Sequence, residues 1–260
     1  MRRPKILFID LETAPKLAYV WRFWQENVSP KQVLTHGHIM SASWVWNDDE
    51  DEFVSYAENR EANDDLIVRL LIELLDEADI VVGHNVKAFD TATINARALV
   101  LGLKPPSPYK VVDTYKVAKS RFKFEANSLE YLTTILRVKH KKTAHARFPG
   151  FELWKECLAG NEEAWNECRE YNIQDTLAVR DVYYAMLPWI TNHPNWGVYA
   201  EDDEAVCPNC GSHHLHKRGW SYTNLGRYQR YRCEDCGAWS KSAKNELTTD
   251  KRKVMVRSAT

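Results

Sequence analysis

The stretch KILFIDLET, residues 5–13, places two acids where a buried strand should have none. Residues 5–10 are a β-branched and aromatic run, which predicts a first strand. Strand side chains alternate faces, so Asp10 and Glu12, two apart, point the same way. Side by side they repel, and their desolvation is costly unless a cation sits between them. Oxygen ligands of this kind suit Mg²⁺ or Mn²⁺.

Outward from this strand the chain switches between the strand and helix periods. Residues 39–46 (IMSASWVW) and 53–57 (FVSYA) read as two more strands, with the acid run NDDEDE as a solvated hairpin loop. Over 63–77, Leu66, Leu70, Leu71, Leu74 and Leu75 share one helical face. Ile80 to Val82 form a short fourth strand ending at Gly83-His84-Asn85, and residues 90–101 form a helix with Gly102 at its end. KVVD, 110–113, predicts a fifth strand, and Asn127 or Ser128 caps a helix running to about Leu136. Residues 137–150 are basic and without clear period, and read as a surface loop. A short helix covers 151–159, and Asn161 caps a longer one that Pro188 stops near Leu187. This order makes a mixed α/β domain with a central sheet.

Two further acids stand at element ends. Asp90 follows GHNVKAF and opens a helix, where an acid is also an ordinary cap. Asp175 lies in YNIQD on the long helix, and Tyr171, four residues earlier, shares its face. A solvated acid beside a half-buried tyrosine is the bland alternative. The order settles more than any member does: DxE on the first strand, FD after a GHN strand end, YxxxD on a late helix. In IDLET (9–13), GHNVKAFD (83–90) and YNIQDTLAVRDVYYAM (171–186) the sequence resembles the DEDD exonuclease superfamily, in its tyrosine branch. That group includes the proofreading domains of DNA polymerases and many phage and bacterial exonucleases. NSLEYLTTIL (127–136) resembles the helix usual between the second and third motifs. The histidine branch would place His where this chain has Glu170. The resemblance covers residues 5–188.

The resemblance implies an RNase H-like mixed central sheet flanked by helices, with the acids gathered at one edge around two Mg²⁺ or Mn²⁺ ions about 4 Å apart. It implies that Asp10 bridges both ions, that Glu12 and Asp175 complete the ion holding the attacking water, and that Asp90 supports the second. Tyr171 would orient or deprotonate that water. His84 and Asn85 are candidates to contact the terminal nucleotide, with a satisfied strand-end histidine as the alternative for His84. Thr13 is a candidate donor to the 3′ end on resemblance alone. Lys139, Lys141 and Lys142 are candidate phosphate holders against a solvated loop. Asp113 and Phe89 read as structural, Phe89 as core.

Near the C-terminus, Cys207-Pro-Asn-Cys210 and Cys233-Glu-Asp-Cys236 are separated by 22 residues. Four thiolates in two such knuckles surround one structural Zn²⁺ tetrahedrally, and Gly211 and Gly237 permit the tight turns. A segment this short gains its folding energy from metal. A redox pair of CxxC motifs is the weaker alternative. His213, His214 and His216 are surplus to the ion and read as exposed. The pattern resembles zinc ribbons of transposases. Lys217, Arg218, Trp220, Tyr222, Arg227, Tyr228, Arg230, Tyr231, Arg232 and Trp239 interleave cations with rings, so phosphates and bases suit it, while some rings are expected to form its small core.

The charge is divided to match. Residues 206–260 hold 11 Lys and Arg against 4 Asp and Glu, a net of +7, whereas residues 1–205 carry 24 against 32, a net of −8. The expected organisation is an exonuclease domain over 1–190, a linker over 191–205, a zinc ribbon over 206–240 and a flexible basic tail over 241–260. No apolar run of about 18 residues occurs, and MRRPKILFIDLE lacks the long apolar region of a secretion signal, so no membrane partner and a cytoplasmic site are expected, the host cytoplasm if phage-encoded. The compact size fits a phage or bacterial origin. The expected function is 3′→5′ hydrolysis of single-stranded DNA, with the ribbon gripping nucleic acid. RNA as substrate, a structure-specific endonuclease, an inactive nucleic-acid-binding adaptor and a ribbon that binds protein are the alternatives. Replication or repair proteins are open as partners.

Overall fold

The apolar run beginning at Ile6 becomes the middle strand of a five-stranded sheet. The computed structural model describes residues 3–24, 27–49, 53–142, 147–200, 204–257 and 259. Its elements begin with β1 (Ile6–Thr13), β2 (Leu17–Ala18), β3 (Val33–Thr35), β4 (Ile39–Trp46), β5 (Ser55–Glu58), α1 (Asp65–Glu77), β6 (Ile80–Gly83) and α2 (Asp90–Val100). They continue with β7 (Lys110–Asp113), α3 (Thr114–Arg121), α4 (Leu129–Ile135), α5 (Glu152–Leu158), α6 (Glu162–Met186), β8 (Leu215–Thr223), β9 (Gly226–Cys233), β10 (Trp239–Lys241) and α7 (Thr249–Lys253). Residues Lys5–Ala185 form one compact unit, and the chain from Met186 onward belongs to a second.

The first unit is a mixed α/β fold. Its sheet has the order β5-β4-β1-β6-β7. β1 pairs antiparallel with β4 and parallel with β6, and β6 pairs parallel with β7. Ile6, Leu7, Phe8 and Ile9 are all buried because helices cover both faces. Leu7, Ile9 and Leu11 join the α1 and α2 cluster of Ile67, Val68, Leu71, Leu75 and Ile94. Phe8, on the other face, meets Tyr183 of α6 at a ring distance of 5.3 Å. Each such apolar side chain contributes about 1.5–3 kcal/mol on burial. By alternation Asp10 and Glu12 share the Phe8 face and look toward the helices after β7. Buried Asp64 ties the layers together, accepting from the Ile39 backbone N–H at 3.0 Å and pairing with Arg97 at 2.7 Å.

Several expectations change. Leu66 is 83% exposed, because the stripe that faces the sheet is Ile67, Val68, Leu71, Leu74 and Leu75. Asp113 caps a helix, α3, that the sequence reading left out; α3 buries only Thr114 and Ala118, too little to show a period. Residues 50–52 of the acid loop and 143–146 of the basic loop lie outside the described residues. Among the described residues, no helix is long and apolar enough to cross a membrane.

In the second unit β10, β9 and β8 form a three-stranded antiparallel sheet. The stretch expected as a linker contains a 3-10 turn at Trp196–Val198, and the Trp196 N–H donates to Pro208 O at 3.0 Å. A Cβ on Gly211 (φ +73) would stand 2.4 Å from the Trp196 ring, so Gly is required there twice over. The stretch expected to be flexible is also tied down: Ser242 N–H and Glu246 N–H donate to the carbonyls of Gln229 and Arg227, at 2.9 and 2.7 Å, and α7 follows.

Candidate functional site

Parallel pairing between β1 and β6 ends at Phe8 and Val82, so the later part of β1 runs on without that neighbour. Side chains take over there. The Asp90 carboxylate, at the first residue of α2, accepts the Leu11 backbone N–H at 3.1 Å. Asn172 of α6 donates to the Asp10 carboxylate at 2.7 Å and to its carbonyl at 3.2 Å. Asn172 is itself held by Ser41 of β4, whose hydroxyl donates to its Oδ1 at 3.1 Å. Trp154 of α5 donates its indole N–H to Glu12 at 3.2 Å. Three helices thus bring Asp10, Glu12, Asp90 and Asp175 to one end of β1.

The carboxylates burden one another. Burial raises Asp10 well above the usual carboxylate range, and Asp175 and Glu12 add to it. Burial and Asp10 do the same to Asp90. Burial, then Cys168, pushes Glu12 up to about 8. Asp175 is raised by burial, and Lys142 offsets part of that shift. The Lys142 ammonium is ion-paired with Asp175 Oδ2 and stands 4.4 Å from the centroid of the Tyr171 ring. Burial lowers its affinity for a proton, yet Asp175 and Tyr171 hold it above the usual lysine value. The Tyr171 hydroxyl, pushed up by burial and by Asp175, stays protonated at neutral pH.

The acids suit hard divalent ions. All four offer oxygen, and Asp175 Oδ1 is buried without a hydrogen-bond partner among the described residues. The cysteines suit zinc on firmer geometry. Cys207, Cys210, Cys233 and Cys236 bring their sulfurs within 4.8 Å of one another. Cys207 lies 3.6 Å from Cys236, and Cys210 lies 3.7 Å from Cys233. A tetrahedron with Zn–S bonds of ~2.3 Å has edges of ~3.8 Å, whereas a disulfide would need ~2.05 Å. Hydrogen bonding among the sulfurs lowers the Cys207 thiol and raises those of Cys210 and Cys236.

The other sequence candidates divide. Thr13 ends β1 beside the acids, at a bulge in the β4 pairing. His84 is anchored: its Nδ1 lies 2.9 Å from the Thr114 hydroxyl, and burial pushes it down to about 4, so it is neutral. Asn85 takes φ 65 and donates its backbone N–H to Asp113 at 3.0 Å. Phe89 is 40% exposed rather than core, because Asp90 beside it turns inward to Leu11. Lys139 and Lys141 belong to the surface loop, while Lys142 has left it for the acids. In the ribbon, Arg227 stacks on Trp220 at 4.7 Å and Arg230 on Trp239 at 5.0 Å. Arg230 also donates to the Arg218 carbonyl at 2.9 Å, and Lys217 and Arg232 lie on the facing strands β8 and β9. The expected ring core is absent among the described residues: the buried centre is Cys207, Cys233 and Ala238, packed by Cys210, Leu215 and Cys236. His213 and His214 pair with Glu204 and Asp235 at 3.3 and 3.0 Å.

Sequence reasoning passed over Asn172 and Trp154. Asn172 had a signal, being a polar residue on the buried stripe with Asp175, Thr176 and Val179. Trp154 had none, because its partner is 142 residues away.

The family model described as the RNase_H superfamily matches residues 28–187, a range that holds Asp90, Tyr171 and Asp175 and leaves out Asp10 and Glu12. No curated protein sequence matches the chain. Among solved structures 89 chains match. One is the family B DNA polymerase from the hyperthermophilic archaeon Pyrobaculum calidifontis, at TM-score 0.55 and 14% identity. The match covers 72% of this chain and 25% of that one, so the chain spans about a quarter of the polymerase's length, and the likeness is one of fold.

Proposed function

We propose that this chain, which belongs to the RNase_H superfamily, is a 3′→5′ exonuclease of the tyrosine-bearing DEDD type acting on single-stranded DNA. The observation that carries the reading is the convergence of Asp10, Glu12, Asp90 and Asp175 at one end of β1, with Tyr171 one helical turn from Asp175. No apolar core gains from four crowded carboxylates, and two divalent ions would relieve each of the upward shifts. When bound, such Mg²⁺ or Mn²⁺ ions would supply water activation and charge neutralisation at the phosphate.

The chain's own groups do the rest. Asp10 and Glu12 from β1, Asp90 from α2 and Asp175 from α6 would hold the ions. Asn172 and Trp154 fix the rotamers of Asp10 and Glu12, which an incoming ion would otherwise have to order. Tyr171 is protonated, so it orients the attacking water by hydrogen bond and does not take its proton. Water adds to the phosphorus of the last phosphodiester and gives its proton to solvent, the P–O bond to the penultimate 3′ oxygen breaks, that oxygen takes a proton from solvent, and a nucleoside 5′-monophosphate is released. Thr13, His84 and Asn85 line the approach for the 3′ terminus, with His84 acting as a neutral imidazole. The ribbon, built on one Zn²⁺, grips the strand through Lys217, Arg218, Arg227, Arg230 and Arg232, with Trp220 offering a ring.

A time course with Mg²⁺ or Mn²⁺ on matched 5′-labelled single-stranded DNA and RNA tests this, with Asp10→Ala and metal-free controls. A descending ladder on DNA, absent from both controls, is the expected result. A ladder on RNA alone would replace the substrate. A ladder that survives Asp10→Ala would overturn the site.

A further inference from the structure

Between the active-site strand and β4 the chain makes an arm that none of the proposed chemistry uses. β2 and β3 pair antiparallel, with Leu17 opposite Thr35 and Ala18 opposite Val33. The arm's base continues the β1–β4 ladder, the Ala14 N–H donating to His38 O at 2.8 Å. Farther out, the Tyr19 N–H donates to Gln32 O at 2.9 Å, and Gln32 returns a bond to Tyr19 O at 2.9 Å. A capping box at Ser29 and Gln32 fixes the return turn. The described part of the arm is therefore tied by hydrogen bonds, yet its rings point out: Trp21 is 92% exposed, Phe23 93% and Trp24 83%. Isolated exposed apolar residues are ordinary, but three large rings within four residues are a contact surface.

Two features select the occupant. The first is continuity, since β1 carries Asp10 and Glu12 and runs directly into the arm. The second is charge. Residues 14–38 hold Lys16, Arg22 and Lys31 against the single acid Glu26, within a body whose net charge over residues 1–205 is −8. A cationic, ring-bearing segment on an acidic body, next to a phosphodiester site, suits a polyanion with exposed π faces. We propose that the arm tipped by Trp21, Phe23 and Trp24 binds single-stranded DNA on the 5′ side of the cleaved terminus by stacking on its bases. Trp21 is nine positions and Trp24 twelve positions beyond Glu12, so at ~3.3 Å per residue the rings lie at most about 30–40 Å from the acids. A stacked strand at ~3.4 Å per nucleotide spans that in about nine to twelve nucleotides. The proposal rests on the exonuclease reading.

The test is fluorescence anisotropy with the full zinc-loaded chain, without added Mg²⁺ or Mn²⁺. It compares wild type with a combined Trp21→Ala, Phe23→Ala and Trp24→Ala variant. The ligands are a labelled 20-nucleotide strand and an abasic strand carrying the same phosphates. Base stacking predicts at least a ~10-fold loss of affinity for the normal strand in the variant, and no difference on the abasic one. Trp21→Phe with Trp24→Phe, which keeps the rings, should restore affinity to within about 2-fold. Equal binding of the normal strand by wild type and variant overturns the proposal. So does an equal loss on both strands, and so does a shift from dimer to monomer in gel filtration with strand binding intact, which would make the arm a self-association face. Asp10→Ala separates the two readings: cleavage that survives it removes the exonuclease site, whereas cleavage lost with ring-independent binding removes the arm alone.

Discussion

The acid cluster and the cysteine cluster solve the same problem in opposite ways. Both gather four potential anions, but the sulfurs stand at 3.6 and 3.7 Å in pairs and all within 4.8 Å, close to the edge of a zinc tetrahedron. Among the described residues the acids form no such group. A thiol is neutral until metal takes its proton, so four of them can be crowded by knuckle backbone alone. Carboxylates start from a much lower pKa and repel. Here Asn172, Trp154 and the Leu11 N–H each take one, and the Lys142 ammonium sits on Asp175. With zinc held by its four sulfurs, the ribbon would be a site whose fold depends on its ion, while the body is a fold that tolerates its site.

That contrast can be broken or sharpened by experiment, beginning with the largest effect. Removing zinc with a strong chelator, or changing Cys207 to Ser, should unfold the ribbon outright, since structural zinc contributes ~10–16 kcal/mol in comparable small domains. Withholding Mg²⁺ and Mn²⁺ should leave the first unit folded. Amide hydrogen exchange reads both, and a ribbon that stays protected without zinc breaks the contrast.

Asp175→Ala should lower cleavage by on the order of 10³-fold or more while strand affinity changes only a few-fold. Steady-state rates set against anisotropy check this, and a parallel loss of binding would make Asp175 structural. Next comes Lys142→Met, which leaves Asp175 buried without its counter-charge. Metal-free stability should fall by about 2 kcal/mol in urea titration, and saturating Mn²⁺ should close most of the gap. A gap that Mn²⁺ leaves untouched would mean that the ammonium does not stand in for a cation.

The last effect, gradual rather than abrupt, is on pH. Glu12 is raised to about 8 from an ordinary value near 4.5, so the folded protein binds a proton there that the unfolded chain has released. This contribution is full below about pH 4.5 and is lost as pH rises through 8. Without metal, stability should therefore decline across that window by less than ~1.4 kcal/mol per pH unit, the limit for one proton. Differential scanning calorimetry at several pH values would show it. Glu12→Gln should flatten the slope, and so should added Mn²⁺. An unchanged slope in Glu12→Gln would assign the proton to another acid.

What was legible in the sequence was whatever repeats over a short span. The apolar period of β1, the two-residue offset of Asp10 and Glu12, the four-residue offset of Tyr171 and Asp175 and the CxxC spacings are each set within one element or turn. The α/β order followed from the periods, and the RNase H-like fold was what the resemblance of the ordered motifs implied. α3 was not legible, because a helix burying two residues leaves no period. Phe89 was misread because a local pattern cannot tell which of two neighbours, Phe89 or Asp90, the turn sends inward.

The sequence alone determined which anions the protein would gather and in what chain order, because those residues sit at fixed offsets along single elements. Only the tertiary structure decided what steadies them. Trp154 reaches Glu12 across 142 residues, Asn172 reaches Asp10 across 162, and Lys142 reaches Asp175 across 33. Pairings that long carry no period, because they exist only after the sheet and helices have packed. The same holds for Trp21, Phe23 and Trp24, whose exposure is decided only by how the chain packs.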